Sequence, residues 1–379
     1  MIIKNAKTVM TDCVLMRDIR ITDGKIAEIE KNIIPEEDEH VINADGLTLI
    51  PGLIDTHFHG AVGQFFSNKV CDLEAICKFE ASEGVTSIGI THASIAIEEF
   101  EARCAEALAL MGKNEGAKIA GFHAEGPFLN VEKKGAMNEK RIILPTVEMF
   151  DRIYDACGGY LKIITMAPEM EGAAEVIAHA VSKGVAVSAG HTNATYDEMI
   201  SAVEGGVTRM THTFNACRAL SHREPGVLGA SFTDNRVTCE VICDFGHLHP
   251  AAVKLIYQIK GSSNFCAISD SEFAAGLKTN DIIEVDGVAR YIDHEAGVCK
   301  LMNGTICGSA SSLYRGYKNL ISLGIPLWEV SEMVSVNPAK ALGIFDRTGS
   351  IEVGKAADLV LTDNDLNIIN VFIDGKQFI

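Results

Sequence analysis

The chain has 379 residues, 47% of them hydrophobic and 22% charged, with a formal net charge of −18. That balance suits a soluble globular protein, either one large domain with an annex or two modest domains. No apolar run reaches the ~20 residues that a membrane span needs, and the acidic excess repels polyanions, which argues against nucleic-acid binding while leaving room for a small anion held by local cations.

The eleven cysteines are scattered and form no C-x-x-C pair, which points away from a zinc ribbon or a disulfide framework. The opening MIIKNAKTVMTD lacks the basic start, long apolar stretch and cleavage site of a signal peptide. A reducing cytoplasm is the expected setting.

Up to about Leu49 the chain alternates short β-rich pieces with turns: Ile2-Ile3, Cys13 to Leu15, Asp18 to Thr22, the Asp23-Gly24 turn, and Lys25 to Ile29. The C-terminus has the same style, with Gly349 to Ile351, a turn at Val353-Gly354-Lys355, an apolar run from Asp358 to Leu361, and Ile368 to Ile373. Two β-rich ends around a different middle predict one small β-sandwich domain built from residues 1–50 and 344–379.

Residues 51–343 repeat strand, loop and helix. Apolar strands are expected near Leu49–His57, Val85–Ile90, Lys118–His123, Leu161–Met166, Val185–Ala189, Val207–His212, Val237–Ile242 and Asn264–Ile268. Amphipathic stretches lie between them, such as Leu73–Ser82, Glu98–Met111, Val147–Ala156, Ala173–Lys183 and Tyr196–Glu204, several with Gly just beyond as a stop signal. Eight such units predict an α/β fold with a parallel sheet closed into a (β/α)8 barrel.

Chemical residues gather just after these strands, the positions that share one rim of such a barrel. PGLIDTHFHG ends the first strand with His57 and His59, which are two apart, project together and can share a divalent ion. Glu125, in GFHAEGPF, is either a solvated loop carboxylate before Gly-Pro or a ligand. His191 in SAGHTNAT and His212 in RMTHTFNA are either hydrogen-bonded core histidines or ligands. Their convergence favours ligation: one carboxylate and two histidines with an open fourth position make a catalytic metal set, and His57 with His59 could complete a second.

Asp270, at the end of a very apolar strand, reads either as a helix N-cap or as the carboxylate that takes a proton from water and passes it to a leaving group; the catalytic reading is favoured. After His212, the run TFNACRALSHREPG supplies Asn215, His222 and Arg223; the arginine is either routine surface or a phosphate clamp beside an Asn-Ala loop. His247 is a candidate substrate contact, while His249 before Pro250 reads as loop or helix-start material.

Taken together, PGLIDTHFHG, GFHAEGPF, SAGHTNAT, THTFNA, HREPGVLGA, NPAKALGI and GSIEVGKAADLVL resemble the amidohydrolase superfamily, and more narrowly its N-acetylglucosamine-6-phosphate deacetylase family, over nearly the whole chain. The resemblance implies a metal-dependent hydrolase of amino sugar catabolism. Glu125, His191 and His212 would hold the principal metal, and His57 and His59 would permit a second. Asp270 matches the acid/base, and Asn215, Ala216, His222, Arg223 and His247 match the sugar-phosphate contacts. In the family the arginine reaches across from a neighbouring subunit, which implies a homodimer. One or two divalent ions per subunit are expected, zinc foremost, with iron, manganese and cobalt also suited to such ligands.

Two departures bear on the sugar. Family members commonly have Asp-Ala at the last strand, where this chain has Asp270-Ser271-Glu272, and a polar residue is usual where Met137 stands. N-acetylgalactosamine 6-phosphate therefore stays open as the substrate, as does another related amide. Many cyclic-amide hydrolases bridge two metals with a modified lysine on the fourth strand; here only Lys162 is offered, at the start of that strand and far from the rim.

Overall fold

Eight short apolar strands lie side by side in chain order: Leu53–Phe58, Val85–His92, Lys118–Glu125, Leu161–Met166, Ala186–Ala189, Val207–Met210, Thr238–Ile242 and Phe265–Ile268. All their ladders are parallel. The computed structural model describes residues 1–279, 282–285 and 288–379. The sheet closes where the chain leaves the eighth strand: Asp270 N donates to His57 O at 2.9 Å and His59 N to Ser271 O at 2.7 Å. The expected (β/α)8 barrel is the fold observed.

Strands such as Leu53–Phe58 and Val85–His92 are buried along their whole length, because helices cover one face and the barrel interior the other. The helices start where the sequence signals them. Asp72 caps Leu73–Ser82 by accepting from Ala75 N, and a Thr195/Glu198 capping box opens Tyr196–Gly205. Inside the barrel a polar layer lies below the rim. His123 Nε2 is 2.8 Å from Thr165 Oγ1, which is 2.8 Å from Thr211 Oγ1, and the latter donates to Ser188 Oγ at 2.6 Å.

Both chain ends build a second sheet over its own core of Ile3, Ile19, Ile26, Leu49, Leu359 and Phe372. Here the structure corrects one strand assignment. The stretch read as a single barrel strand, Leu49–His57, divides at Gly52. Thr48–Pro51 joins the terminal sheet, antiparallel to Leu359–Thr362, and only Leu53–Phe58 enters the barrel. Gly52 is needed at the join, since a Cβ there would lie 2.2 Å from Thr86 Oγ1.

A second feature had no counterpart in the sequence reading. After the eighth strand an antiparallel meander, Ile283–Val285, Val288–Asp293, Val298–Leu301 and Ile306–Ser309, folds against the rim. Its last strand is stitched to the residues after Asp270: Ser309 N donates to Asp270 O at 2.8 Å, and Glu272 N to Ser309 O at 3.0 Å. Among the described residues no helix is long and apolar enough to cross a membrane.

Candidate metal and substrate site

Glu125 ends the third barrel strand and is 2% exposed, which removes the solvated-loop reading. Its Oε1 lies 3.0 Å from His191 Nε2, 3.0 Å from His212 Nε2 and 3.4 Å from His57 Nε2, and its Oε2 lies 3.2 Å from His59 Nε2. His191 and His212 come from the turns after the fifth and sixth strands, with φ of +48° and +27°. Asp270, at φ +49°, directs Oδ1 to within 3.3 Å of His59 Nε2 and 3.5 Å of His57 Nε2. No helix follows Asp270, so it caps none. Non-glycine residues at such angles cost free energy and cluster where geometry serves function.

The atoms fall into two sets, Glu125/His191/His212 and His57/His59/Asp270, each with ligand atoms within 4.8 Å of one another. Four imidazole Nε2 atoms surround a carboxylate, and the buried His57 Nε2 and Glu125 Oε2 have no hydrogen-bond partner. His191 Nδ1 donates to Lys133 O at 2.9 Å, leaving Nε2 as the lone pair that faces Glu125. Nitrogen and carboxylate donors so arranged fit a divalent cation.

The buried charges of this cluster answer one another. Burial opposes charge on His57, yet the neighbouring carboxylates, Glu125 foremost, raise it well above the ordinary imidazole range. Against burial, the Asp270 and Glu125 carboxylates beside it raise His59 to about 9. The same contacts hold Glu125 well below, and Asp270 below, the ordinary carboxylate range against the effect of burial.

Two supports went unread in the sequence. Glu240 on the seventh strand places Oε2 3.1 Å from His57 Nδ1, while its Oε1 accepts from Arg209 Nε and Nη2 at 3.1 and 3.0 Å. The signal for it was a lone Glu in the apolar stretch TCEVI. On the other side of the cavity, Glu272 pairs with Arg290 of the meander. His123 is no part of the ligand sets: it lies one layer down, with Nδ1 on Thr56 O at 3.1 Å, and burial depresses it to about 3.

A cavity of about 1050 Å³ opens above the ligands. Asn215, Ala216 and His247 line it, as do Met137, Glu272 and Arg290. Asp244 orients His247 by accepting from Nδ1 at 2.8 Å and from the backbone N–H groups of Gly246 and His247 at 2.8 and 2.9 Å. His222 and Arg223 are not brought to this cavity; both are exposed. His249 caps the helix Pro250–Lys260. Lys162 packs over the Tyr160 ring at the start of the fourth strand, away from the ligands.

Residues 48–378 match the model of the amidohydrolase family. The chain belongs to that family. It is 34% identical to the N-acetylglucosamine-6-phosphate deacetylase of Bacillus subtilis (strain 168), over 94% of this chain and 91% of the relative. It is 31% identical to the N-acetylgalactosamine-6-phosphate deacetylase of Escherichia coli O157:H7, over 94% and 93%. Among solved structures it resembles a mutant of the Mycobacterium smegmatis N-acetyl-D-glucosamine-6-phosphate deacetylase in complex with N-acetyl-D-glucosamine-6-phosphate. That likeness has a TM-score of 0.92 and 29% identity, and it covers 100% of this chain and 99% of the other.

Proposed function

We propose that this amidohydrolase removes the acetyl group from N-acetylglucosamine 6-phosphate, giving glucosamine 6-phosphate and acetate. The observation that carries the reading is Asp270: its carboxylate stands 3.3 and 3.5 Å from His59 and His57, beside the Glu125/His191/His212 set and at the floor of an open cavity. Full-length relatives with deacetylase names support the substrate class.

Glu125, His191 and His212 would hold the principal ion, zinc in the first instance, and His57 with His59 would admit a second. When bound, the metal supplies Lewis acidity toward the acetamide carbonyl and makes water a nucleophile at neutral pH. Asp270 accepts the proton of the attacking water. It returns that proton to the nitrogen as the C–N bond breaks, because an amide anion is a very poor leaving group. His247, held by Asp244, contacts the substrate, and the Asn215-Ala216 turn meets the phosphate. Binding at these points orients the acetamide over Asp270.

His222 and Arg223, exposed on this chain, would serve the cavity of a second copy, which makes the working unit a homodimer. Eleven free thiols suit the reducing cytoplasm where amino sugar phosphates are handled.

A second reading, N-acetylgalactosamine 6-phosphate, is favoured by Met137 and Glu272 on the cavity wall and by the 31% identical relative named for that sugar. Acetate release from the two 6-phosphates and from unphosphorylated N-acetylglucosamine tests both. The expected result is preference for the phosphorylated gluco sugar; preference for the galacto sugar selects the second reading, and release from none of them by metal-loaded protein refutes both.

A further inference from the structure

The meander beside the cavity carries two cysteines with no part in the reaction above. Cys299 and Cys307 lie on its neighbouring strands Val298–Leu301 and Ile306–Ser309. The ladder between them shifts register after the Cys299 and Gly308 pair, and Cys307 falls in that irregularity. Glu272 approaches from the barrel rim. The Glu272 carboxylate and the two sulfurs all lie within 4.8 Å of one another.

The approach depends on Gly308, where a Cβ would lie 2.6 Å from Glu272 Cγ and close the space the carboxylate chain crosses. Cys299 is fully buried, while Cys307 and Glu272 border the open cavity, so the cluster opens to solvent there. An ion with bonds of about 2.1 Å to oxygen and 2.3 Å to sulfur brings its ligands to about 3.6 Å apart, a closure of roughly an ångström.

We propose that Glu272, Cys299 and Cys307 form an accessory site for a borderline-soft divalent cation of the zinc class, its fourth position open to the cavity. The charges balance for a divalent ion. With both thiols protonated, Glu272 and Arg290 already cancel. Binding M²⁺ releases two protons and leaves two thiolates, one carboxylate, one guanidinium and the ion, again with no net charge in a buried place. The two sulfurs disfavour magnesium and calcium, and the mixed oxygen and sulfur set suits zinc-class ions. Because Glu272 N and Ser309 N tie this corner to the Asp270 segment, an ion here braces the meander against the strand end that carries Asp270.

The site stands whether or not the acetamide reading holds, and its test needs no turnover. The full chain, reduced and stripped with chelator, is titrated with Co²⁺ alone. A thiolate-to-cobalt charge-transfer band in the near ultraviolet is expected, which the histidine and carboxylate ligands of the other sets cannot produce. Elemental analysis should show about one more ion per chain in the unmodified protein than in Cys307→Ser, and Glu272→Gln should weaken the band. Absence of the band in the reduced unmodified protein overturns the proposal, as does a band that survives in both Cys307→Ser and Cys299→Ser.

Discussion

Glu240 Oε2 lies 3.1 Å from His57 Nδ1, on the far side of the ring from Glu125. Arg209 holds the other oxygen of Glu240, so a buried chain of charge fixes which nitrogen of His57 faces the metal set. Glu240→Gln should loosen metal binding about 10–100-fold. Leaving Arg209 buried and unpaired should cost about 3–5 kcal/mol of stability. Chelator competition and thermal melting read the two effects; an unchanged affinity would mean that Glu240 only neutralises Arg209.

Asp270→Asn keeps the shape of the site and removes the base. A fall in kcat of about 10²–10⁴-fold is expected, with the metal content retained. Near-normal turnover at full metal loading would show that another group moves the proton.

Asp244 and His247 give the pair a pH signature. Burial opposes charge on His247, yet the Asp244 hydrogen bond raises it above 6.5. Burial likewise opposes charge on Asp244, yet the His247 hydrogen bond lowers it below 3.8. The raised histidine contributes stability that is complete below 6.5 and disappears as pH climbs through its folded value. The lowered aspartate contributes stability that is present above 3.8 and disappears as pH falls through its folded value. Asp244→Asn should therefore lower Tm most between those limits, and the gap to the unmodified protein should narrow in alkali. A gap that stays constant across pH would assign the loss to packing alone.

Arg223 should act from a neighbouring copy. Arg223→Ala is expected to raise KM for the 6-phosphate by about 10–100-fold, the worth of a hydrogen bond to a charged group, with kcat and the unphosphorylated sugar little changed. Mixing this variant with Asp270→Asn tests the crossing directly, since a mixed dimer regains one intact site. No regain on mixing would put the clamp within its own chain.

The parts legible in the sequence were those with local signals. Leu73–Ser82 and Leu161–Met166 have the bounds their caps and apolar runs announce, and every proposed ligand sits at or just past a strand end, where the strand–helix rhythm placed it. What escaped was pairing across distance. Glu240 meets Arg209 and His57 only because the seventh strand lies beside the sixth and, once the barrel closes, two strands from the first, and nothing near Glu240 in the chain reports that. The meander hid for another reason: strands such as Val288–Asp293 and Ile306–Ser309 are only partly buried, so they lack the apolar contrast that marked the barrel strands. The break at Gly52 was invisible because apolar residues continue across it, Leu49-Ile50 before and Leu53-Ile54 after.

That break has a consequence for biosynthesis. Thr48–Pro51 leads directly into the strand bearing His57 and His59, and it pairs with Leu359–Thr362 close to the other end of the chain. A ribosome exposes the first of these segments long before it makes the second, so the lead-in waits with an open edge until Leu359–Thr362 has been made. A stop codon shortly before Leu359 would leave every ligand encoded, yet strip the support from the strand that carries two of them.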